Sequence, residues 1–180
     1  MRNSGKVALG GVLGALSLTF MMLTFFSLGT YALPAIAGAV LIPFVIEVGP
    51  KSSWMVYGAV ALLSLLVAPD IEAKILFISL FGYYPILKSV LERISKRWLE
   101  WILKLLVFNT SIISSFLLLV LVFNIEFEML IIGGINLIYI MLAFANIVFV
   151  IYDVALTNVI SMYMRSLHPR IKRIFKLDKN

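Results

Sequence analysis

The sequence predicts an all-α integral membrane protein with six transmembrane helices, both termini cytoplasmic, and short third and fourth spans. Three observations predict this class. Of the 180 residues, 62% are hydrophobic and only 13% are charged, whereas soluble domains average about 45–50% apolar and about 25% charged residues. The apolar residues form long runs separated by short turns, and Lys and Arg are distributed very unevenly among those turns. No linker-like shift in composition divides the chain, so residues 1–180 are predicted to form a single transmembrane domain.

The third and fourth predicted spans contain about 15 residues each, fewer than the ~20 that a straight helix needs to cross a bilayer. They are expected to form a tilted hairpin, short helices packed inside the bundle, or one broken re-entrant unit. All three arrangements leave the topology unchanged. The first span has about the full spanning length and lacks a convincing cleavage site, so it is predicted to be a retained helix rather than a signal peptide. The predicted spans are residues 7–28, 32–48, 54–68, 73–87, 101–123 and 129–164.

A charged segment, residues 88–100, separates the fourth and fifth predicted spans. Its apolar residues recur at helical spacing, which predicts a short amphipathic helix in the membrane interface on the cytoplasmic side. The sixth predicted span is longer than a bilayer needs, so its end is expected to tilt or to project into water. A basic tail, residues 165–180, follows it.

The basic residues determine the predicted orientation. With six spans, every Lys and Arg of the chain except Lys74 falls on the side that holds both termini. Because cytoplasmic loops carry the excess of Lys and Arg, that side is predicted to be cytoplasmic, in a cell (plasma) membrane. The net charge of +6 is then an orientation signal, and it does not require nucleic acid as a partner. Five spans would place the basic tail outside, against this rule.

The sixth predicted span has the densest polar content. Its polar residues fall within about 40° of one another on a helix, a stripe that is expected to face the bundle interior. The outer part of the stripe either lines an external pocket or forms hydrogen bonds between helices. The stripe consists of Tyr139, Asn146, Asp153 and Thr157, with Asn136 nearby at the outer end.

The other ionisable residues suggest no catalytic centre. Asp153 either marks a functional site within the hydrocarbon or pairs with a basic residue such as Lys104. Glu47 and His168 are expected to be solvated, at the end of the second span and in the tail. Cysteine is absent, and no P-loop, G-x-S-x-G, H-E-x-x-H or metal-ligating spacing occurs. We therefore expect no enzyme activity, no cofactor and no metal site, and energised transport would need a partner or an ion gradient.

The first span carries small residues at four-residue spacing, Gly10 with Gly14 and Gly11 with Ala15. Such residues let another helix approach closely, so that van der Waals contacts hold the two helices together. The neighbouring helix is either part of the same bundle or part of a partner protein, and the pattern leaves both open.

Three stretches together resemble the substrate-binding S component of energy-coupling factor (ECF) transporters. They are RNSGKVALGGVLGALSLTF at the start, ALPAIAGAVLIPF in the second span and YDVALTNVISMYMRSLHPRIKR near the end. The resemblance covers most of the chain in architecture and is specific only in these stretches. It implies a six-span subunit that captures a vitamin-like micronutrient outside the cell. It also implies partners, namely a transmembrane coupling protein and two cytoplasmic ATPases that energise uptake.

The resemblance also implies two sets of site residues. The surface that docks on the coupling protein would consist of the small residues of the first span, Gly10, Gly11, Gly14 and Ala15. The small-molecule substrate would bind in the outer half of the bundle, where the candidate residues are Tyr31, Asn136, Tyr139 and Asn146.

The main alternative belongs to another class of protein. Bacterial cell-shape proteins of the MreD type are also small six-span proteins, and they act as non-catalytic membrane scaffolds. The low polarity of the chain and its predicted amphipathic segment suit a scaffold equally well. Membrane lipid surrounds the protein under either hypothesis, and a membrane enzyme is the least favoured class.

Overall fold

The structure is a computed structural model of the chain, in which residues 3–26, 29–123, 131–132 and 135–171 are described. Within these residues a 3₁₀ turn (Leu23–Phe26) extends the first helix, and a π-helical segment (Phe77–Phe81) joins the fifth to the sixth. Two-residue strands, β1 (Ile131–Ile132) and β2 (Ile135–Asn136), pair antiparallel. The α-helices are α1 (Asn3–Met22), α2 (Ala32–Ala39), α3 (Ile42–Val48), α4 (Pro50–Val67), α5 (Ile71–Leu76), α6 (Tyr84–Leu91), α7 (Arg97–Phe123) and α8 (Leu137–Ser166).

Several helical stretches are suited to crossing a membrane, which confirms the predicted class of all-α multi-pass membrane protein. Another apolar stretch, Ala32–Val48, is shorter, and a turn at Val40 and Leu41 divides it into α2 and α3. The second predicted span is therefore the one that falls short in length. Five stretches of the described residues are long and apolar enough to span: Asn3–Phe26, Pro50–Val67, Ile71–Leu91, Arg97–Leu121 and Tyr139–Ser166.

The third and fourth spans are longer than the sequence predicted. The helix α4 begins at Pro50 because Gly49 adopts a φ of 99°, which glycine tolerates, and because proline suits the first turn of a helix. At the next turn the Asp70 carboxylate accepts the backbone N–H of Glu72 at 2.9 Å and of Ala73 at 3.3 Å, and this cap starts α5. The third span, Pro50–Val67, contains 18 residues and the fourth, Ile71–Leu91, contains 21, rather than about 15 each.

No single amphipathic helix covers residues 88–100, and here the prediction was wrong. Lys88 to Leu91 complete α6, residues 92–96 form a turn, and Arg97 already belongs to α7. The physical reason is that Lys88 is completely buried. Its ammonium group binds partners inside the bundle, which draws the end of α6 inward.

The last helix starts later than predicted. Of the predicted span 129–164, the residues 131–132 and 135–136 form the short β pair, and α8 begins at Leu137. The sequence between the two strands is Gly133-Gly134, and glycine has the lowest helix propensity after proline. The acidic residues Glu126 and Glu128, and the tail beyond Ile171, lie outside the described residues.

A close backbone contact joins α2 to the π-helical segment. A Cβ added at Gly38 would overlap the carbonyl oxygen of Phe81 and lie 2.7 Å from the Phe81 carbonyl carbon. Beside this contact, the Ser17 hydroxyl of α1 donates to the Ala37 carbonyl oxygen at 2.8 Å. Glycine is therefore needed at Gly38 because the two backbones touch there.

Two apolar clusters fill the bundle. The first joins α1, α2, α4 and the π-helical segment around Met21, Val60 and Phe77. The second joins α3, α6, α7 and α8, and in it the rings of Phe108 and Phe149 stack with a centroid distance of 4.4 Å. The second cluster positions the candidate site because it surrounds the polar groups of α6, α7 and α8.

Candidate functional site

Asp153 of α8 is the centre of a buried group of charged side chains. Its Oδ1 atom accepts the Tyr84 hydroxyl at 2.6 Å and binds the Lys88 ammonium at 2.7 Å. Its Oδ2 atom binds the Lys104 ammonium at 3.0 Å. The side chains of Lys88, Lys104 and Asp153 are 0%, 2% and 4% exposed. We call this group, with the two glutamates described next, the charge cluster.

Two glutamates complete the charge cluster at its edge. Glu92 lies 2.6 Å from the Lys88 ammonium and 3.5 Å from that of Lys104, and Glu100 lies 2.7 Å from Lys104. The Glu92 side chain is 38% exposed and that of Glu100 is 15% exposed. The cluster is therefore sealed around Asp153 and open at Glu92.

The charge cluster ties α6, α7 and α8 together. An ammonium group has three N–H donors. Those of Lys88 face Asp153 Oδ1, the Asp153 carbonyl oxygen at 3.2 Å and Glu92 Oε1. The Lys88 donors are therefore used within the bundle and leave no position for an anionic ligand. The arrangement is suited to holding three helices in register, since each buried charge has an opposite charge in contact.

The sequence anticipated only part of this cluster. The pairing of Asp153 with Lys104, one of the two predicted alternatives, is present in the structure. The contributions of Tyr84 and Lys88 were not predicted, because the sequence places Lys88 in an amphipathic helix in the membrane interface. A signal existed, since Tyr84 and Lys88 are four residues apart and therefore share one face of a helix.

Asn146 forms a reciprocal pair with Asn109 of α7. Each side-chain amide donates to the Oδ1 atom of the other, at 2.9 and 3.0 Å. Each also donates to a carbonyl oxygen of its own helix, Leu105 or Leu142, at 2.8 Å. The Asn146 donors are thus used within the bundle, one of them between helices, which is the alternative to the predicted role of Asn146 in substrate binding.

We expect the asparagine pair to contribute modestly to stability. Changing Asn109 or Asn146 alone to Leu should lower the free energy of unfolding by about 1 kcal/mol, because the remaining amide loses its partner. The double variant should cost less than the sum of the two single changes, because no unpaired amide is left. Denaturant unfolding in mixed micelles, followed by circular dichroism, measures this cycle. Strictly additive effects would show that the two amides do not interact.

The other predicted substrate residues lie in different surroundings. The Tyr31 hydroxyl donates to the Glu72 carboxylate at 3.2 Å, which links the first and third turns of the chain. Partial burial and the Glu72 carboxylate raise the pKa of Tyr31, so the phenol keeps its proton and donates it. Tyr139 is 70% exposed. Asn136 pairs with Ile131 through the β strands, and its side chain lies outside the described residues.

The small residues of α1 divide into two faces. Cβ atoms added at Gly10 and Gly14 would lie 3.1 and 3.3 Å from the side chains of Val56 and Val60 in α4, so these glycines pack within the bundle. A Cβ at Gly11 would meet nothing within 4 Å, and Ala15 is exposed. The predicted docking residues therefore separate into a buried pair and an exposed pair.

Glu47 and His168 form a second polar contact, at the end of α3. The Glu47 carboxylate accepts the Tyr163 hydroxyl at 2.8 Å and lies 2.7 Å from Nδ1 of His168. Its side chain is 7% exposed and that of His168 is 18% exposed. Both residues were predicted to be solvated, and that prediction was wrong. The end of α8 and the residues directly after it fold over the end of α3 and remove most of both side chains from water.

An apolar groove of about 420 Å³ lies beside this contact. We call it the lateral groove. Its walls are α1, with Leu13 and Leu16, and the end of α8, with Val159 and Tyr163. Its floor is formed by α2 and α3, including Pro43. The lining is almost entirely aliphatic, so the groove is suited to hydrocarbon rather than to a polar solute.

The described residues thus define a helical multi-pass membrane protein with an internal charge cluster and an apolar lateral groove. Within the described part of the chain, no three His, Cys, Asp or Glu side chains come together as a metal site would require. No protein-family model matches the chain, and neither the curated proteins nor the solved structures include a significant match.

Proposed function

We propose that this chain is the membrane-embedded substrate-capture subunit of an ECF-type micronutrient transporter, energised by partner ATPases. The observation that carries the proposal is the exposed small-residue face of α1. Gly11 and Ala15 take no part in the packing of the bundle, although exposed positions of a membrane helix more commonly carry large apolar residues. A second helix can approach closely at such a face.

Helix directions support the topology that this proposal needs. Gly10 lies against Val56 and Gly14 against Val60, so α1 and α4 run in the same direction. Because α4 starts directly after α3 ends, the beginning of α1 lies at the α3 end that carries Glu47. Glu47 is bound by Tyr163 in the last turn of α8 and by His168 directly after it. An even number of crossings, as in the proposed six-span topology, is consistent with these contacts. The excess of Lys and Arg expected at this end would make both termini cytoplasmic.

The opposite end of the bundle is the proposed capture side. The Tyr31–Glu72 hydrogen bond joins two of its turns, and α8 begins there with the exposed Tyr139. A small-molecule substrate would bind among these groups, away from the charge cluster. Docking on a coupling protein through α1 would then connect this side to the ATPases.

A membrane scaffold of the MreD type is the second candidate function. It is favoured by the asparagine pair and the charge cluster, whose polar groups are satisfied by one another. The groove that the described residues form between α1 and α8 is apolar and offers no site for a polar substrate. A scaffold needs a rigid bundle and no substrate site.

Affinity purification of the full chain from its native membranes tests the two functions. For a capture subunit we expect a coupling protein and two ATPases to co-purify, together with a retained small molecule detectable by mass spectrometry. Changing Gly11 to Leu should abolish the association by blocking close helix approach. The matched control is Gly58→Leu in α4, where an added Cβ also meets nothing within 4 Å.

Gly58 points about 180° away from the residues of α4 that contact α1, so its substitution should leave the complex intact. Both variants replace glycine by leucine in a membrane helix, so a general effect on folding would appear in both. Co-purification that is unaffected by Gly11→Leu contradicts docking through α1. Recovery of partners without ATPases supports the scaffold.

A further inference from the structure

The lateral groove points to a ligand that the proposed function does not use. It opens at the side of the bundle between α1 and α8, two helices suited to crossing a membrane. In a bilayer this opening faces hydrocarbon. We propose that the lateral groove binds one acyl chain of an anionic phospholipid, whose headgroup lies at the end of α8.

The lining of the groove fits a chain with one polar end. Leu13, Leu16 and Val159 form its apolar walls, whereas Tyr163 and Ser166 lie at the end of α8. The volume of about 420 Å³ is within the range of small-ligand sites, about 300–1,000 Å³. An acyl chain satisfies the apolar walls, and the glycerol and phosphate groups would reach the polar end.

The charges around the polar end favour an anionic headgroup. Arg165 immediately precedes the lining residue Ser166, and Arg170 follows one turn later. Both are exposed. On the other wall, Lys6 lies two turns before Leu13. The Glu47 carboxylate, which contacts the lining residue Tyr163, is already bound by Tyr163 and His168, so it does not stand free to repel a phosphate. Each basic residue near a membrane surface adds about 1 kcal/mol of attraction to anionic lipid.

A second protein is less suited to this groove than a lipid. Leu13 and Leu16 lie about 150° around α1 from the exposed pair Gly11 and Ala15. The groove is therefore separate from the small-residue face, where close helix approach is possible. The lipid proposal requires that the chain lies in a bilayer, but it does not require that the chain transports anything.

Native mass spectrometry of the full chain tests the proposal. The protein is reconstituted with equal amounts of phosphatidylglycerol and phosphatidylcholine, extracted into mild detergent, and examined for retained lipid. We expect one phosphatidylglycerol per chain. Changing Val159 to Trp should remove it, because the indole fills the groove. The matched control Val154→Trp, at an exposed position of α8 outside the groove, should retain it.

The arginines test the headgroup. Changing Arg165 or Arg170 to Gln should lower the preference for phosphatidylglycerol about fivefold, whereas Lys74→Gln at the opposite end should not change it. Equal retention of both lipids by the unmodified protein would overturn the anionic headgroup. Equal lipid retention by Val159→Trp and Val154→Trp would overturn the site. A dimer of the unmodified chain that retains no lipid would overturn it as well.

A measurement on the unmodified chain tests the groove without relying on the correct folding of any variant. Phosphatidylglycerol with a photoreactive acyl chain should label peptides of α1 and α8 that line the groove, and excess unlabelled phosphatidylglycerol should compete. Labelling spread evenly over all exposed helices would show that the lipid is not held in the groove.

Discussion

Changing Asp153 to Asn is expected to destabilise the bundle by about 3 kcal/mol, the lower end of the cost of breaking a buried ion pair. The substitution preserves the size of the side chain but removes the charge that faces two ammonium groups. Lys88 and Lys104 are at most 2% exposed, so water cannot replace the lost carboxylate. Glu92 and Glu100 remain in contact with them, which limits the loss. Denaturant unfolding in mixed micelles measures the change.

Two comparisons show whether the charge itself is responsible. Replacing Asp153 by Leu together with Lys88 and Lys104 by Met should recover part of the lost stability, because the three most deeply buried charges are removed together. The two carboxylates that lose their partners, Glu92 and Glu100, are 38% and 15% exposed and therefore still reach water. Glu92→Gln should cost less than about 1 kcal/mol, since this carboxylate is 38% exposed and exposed pairs contribute little. Wild-type stability of Asp153→Asn would show that the charge cluster does not hold α6, α7 and α8 together.

Changing Gly38 to Ala is expected to lower the free energy of unfolding by about 3 kcal/mol, the upper part of the usual cost of overpacking. The added methyl group would overlap the carbonyl oxygen of Phe81. That oxygen belongs to the backbone and cannot rotate away as a side chain could. The helix α2 and the π-helical segment must therefore separate, and the apolar packing around Phe77 is weakened. Thermal unfolding in detergent reports the loss.

The matched control for this change is Gly58→Ala. A Cβ at Gly58 meets nothing within 4 Å, and alanine has a helix propensity about 1 kcal/mol better than that of glycine. We therefore expect Gly58→Ala to be neutral or slightly stabilising. Equal effects of the two alanine variants would contradict the close backbone contact between Gly38 and Phe81.

The fold class could be predicted because composition and charge act over the whole chain. The apolar runs predicted membrane-spanning stretches, and five stretches of the described residues are long and apolar enough to span. Their ends were less predictable. The start of α4 depends on the backbone conformation of Gly49, and the end of α6 depends on the burial of Lys88. The latter is a tertiary contact, and no local pattern distinguishes a buried lysine from a solvated one at the end of a span.

The candidate site was predictable only in part. The helical period correctly grouped Asn146 with Asp153 on an inward face of the last helix. For the other two residues of the predicted stripe, Tyr139 and Thr157, the prediction was wrong, because both are exposed. The helical period did not indicate that Asn109 faces Asn146, because the serines and asparagine of α7 form no narrow stripe. The spacing of Gly10, Gly11, Gly14 and Ala15 likewise predicted close packing without its partner. The structure shows that Gly10 and Gly14 contact α4, whereas Gly11 and Ala15 remain exposed.

By itself, the sequence determined that this chain is a helical protein of the membrane, and it predicts that the basic residues gather on one side. Both properties follow from transfer of apolar and charged groups between water and lipid, which depends on the residues present and hardly on their neighbours. Only the tertiary structure decided that Lys88 is buried, that Glu47 binds His168, and that α1 and α8 leave a groove between them. These features depend on which helices pack against each other. The helical period specifies which residues share one face of a helix, but it does not specify which other helix packs against that face.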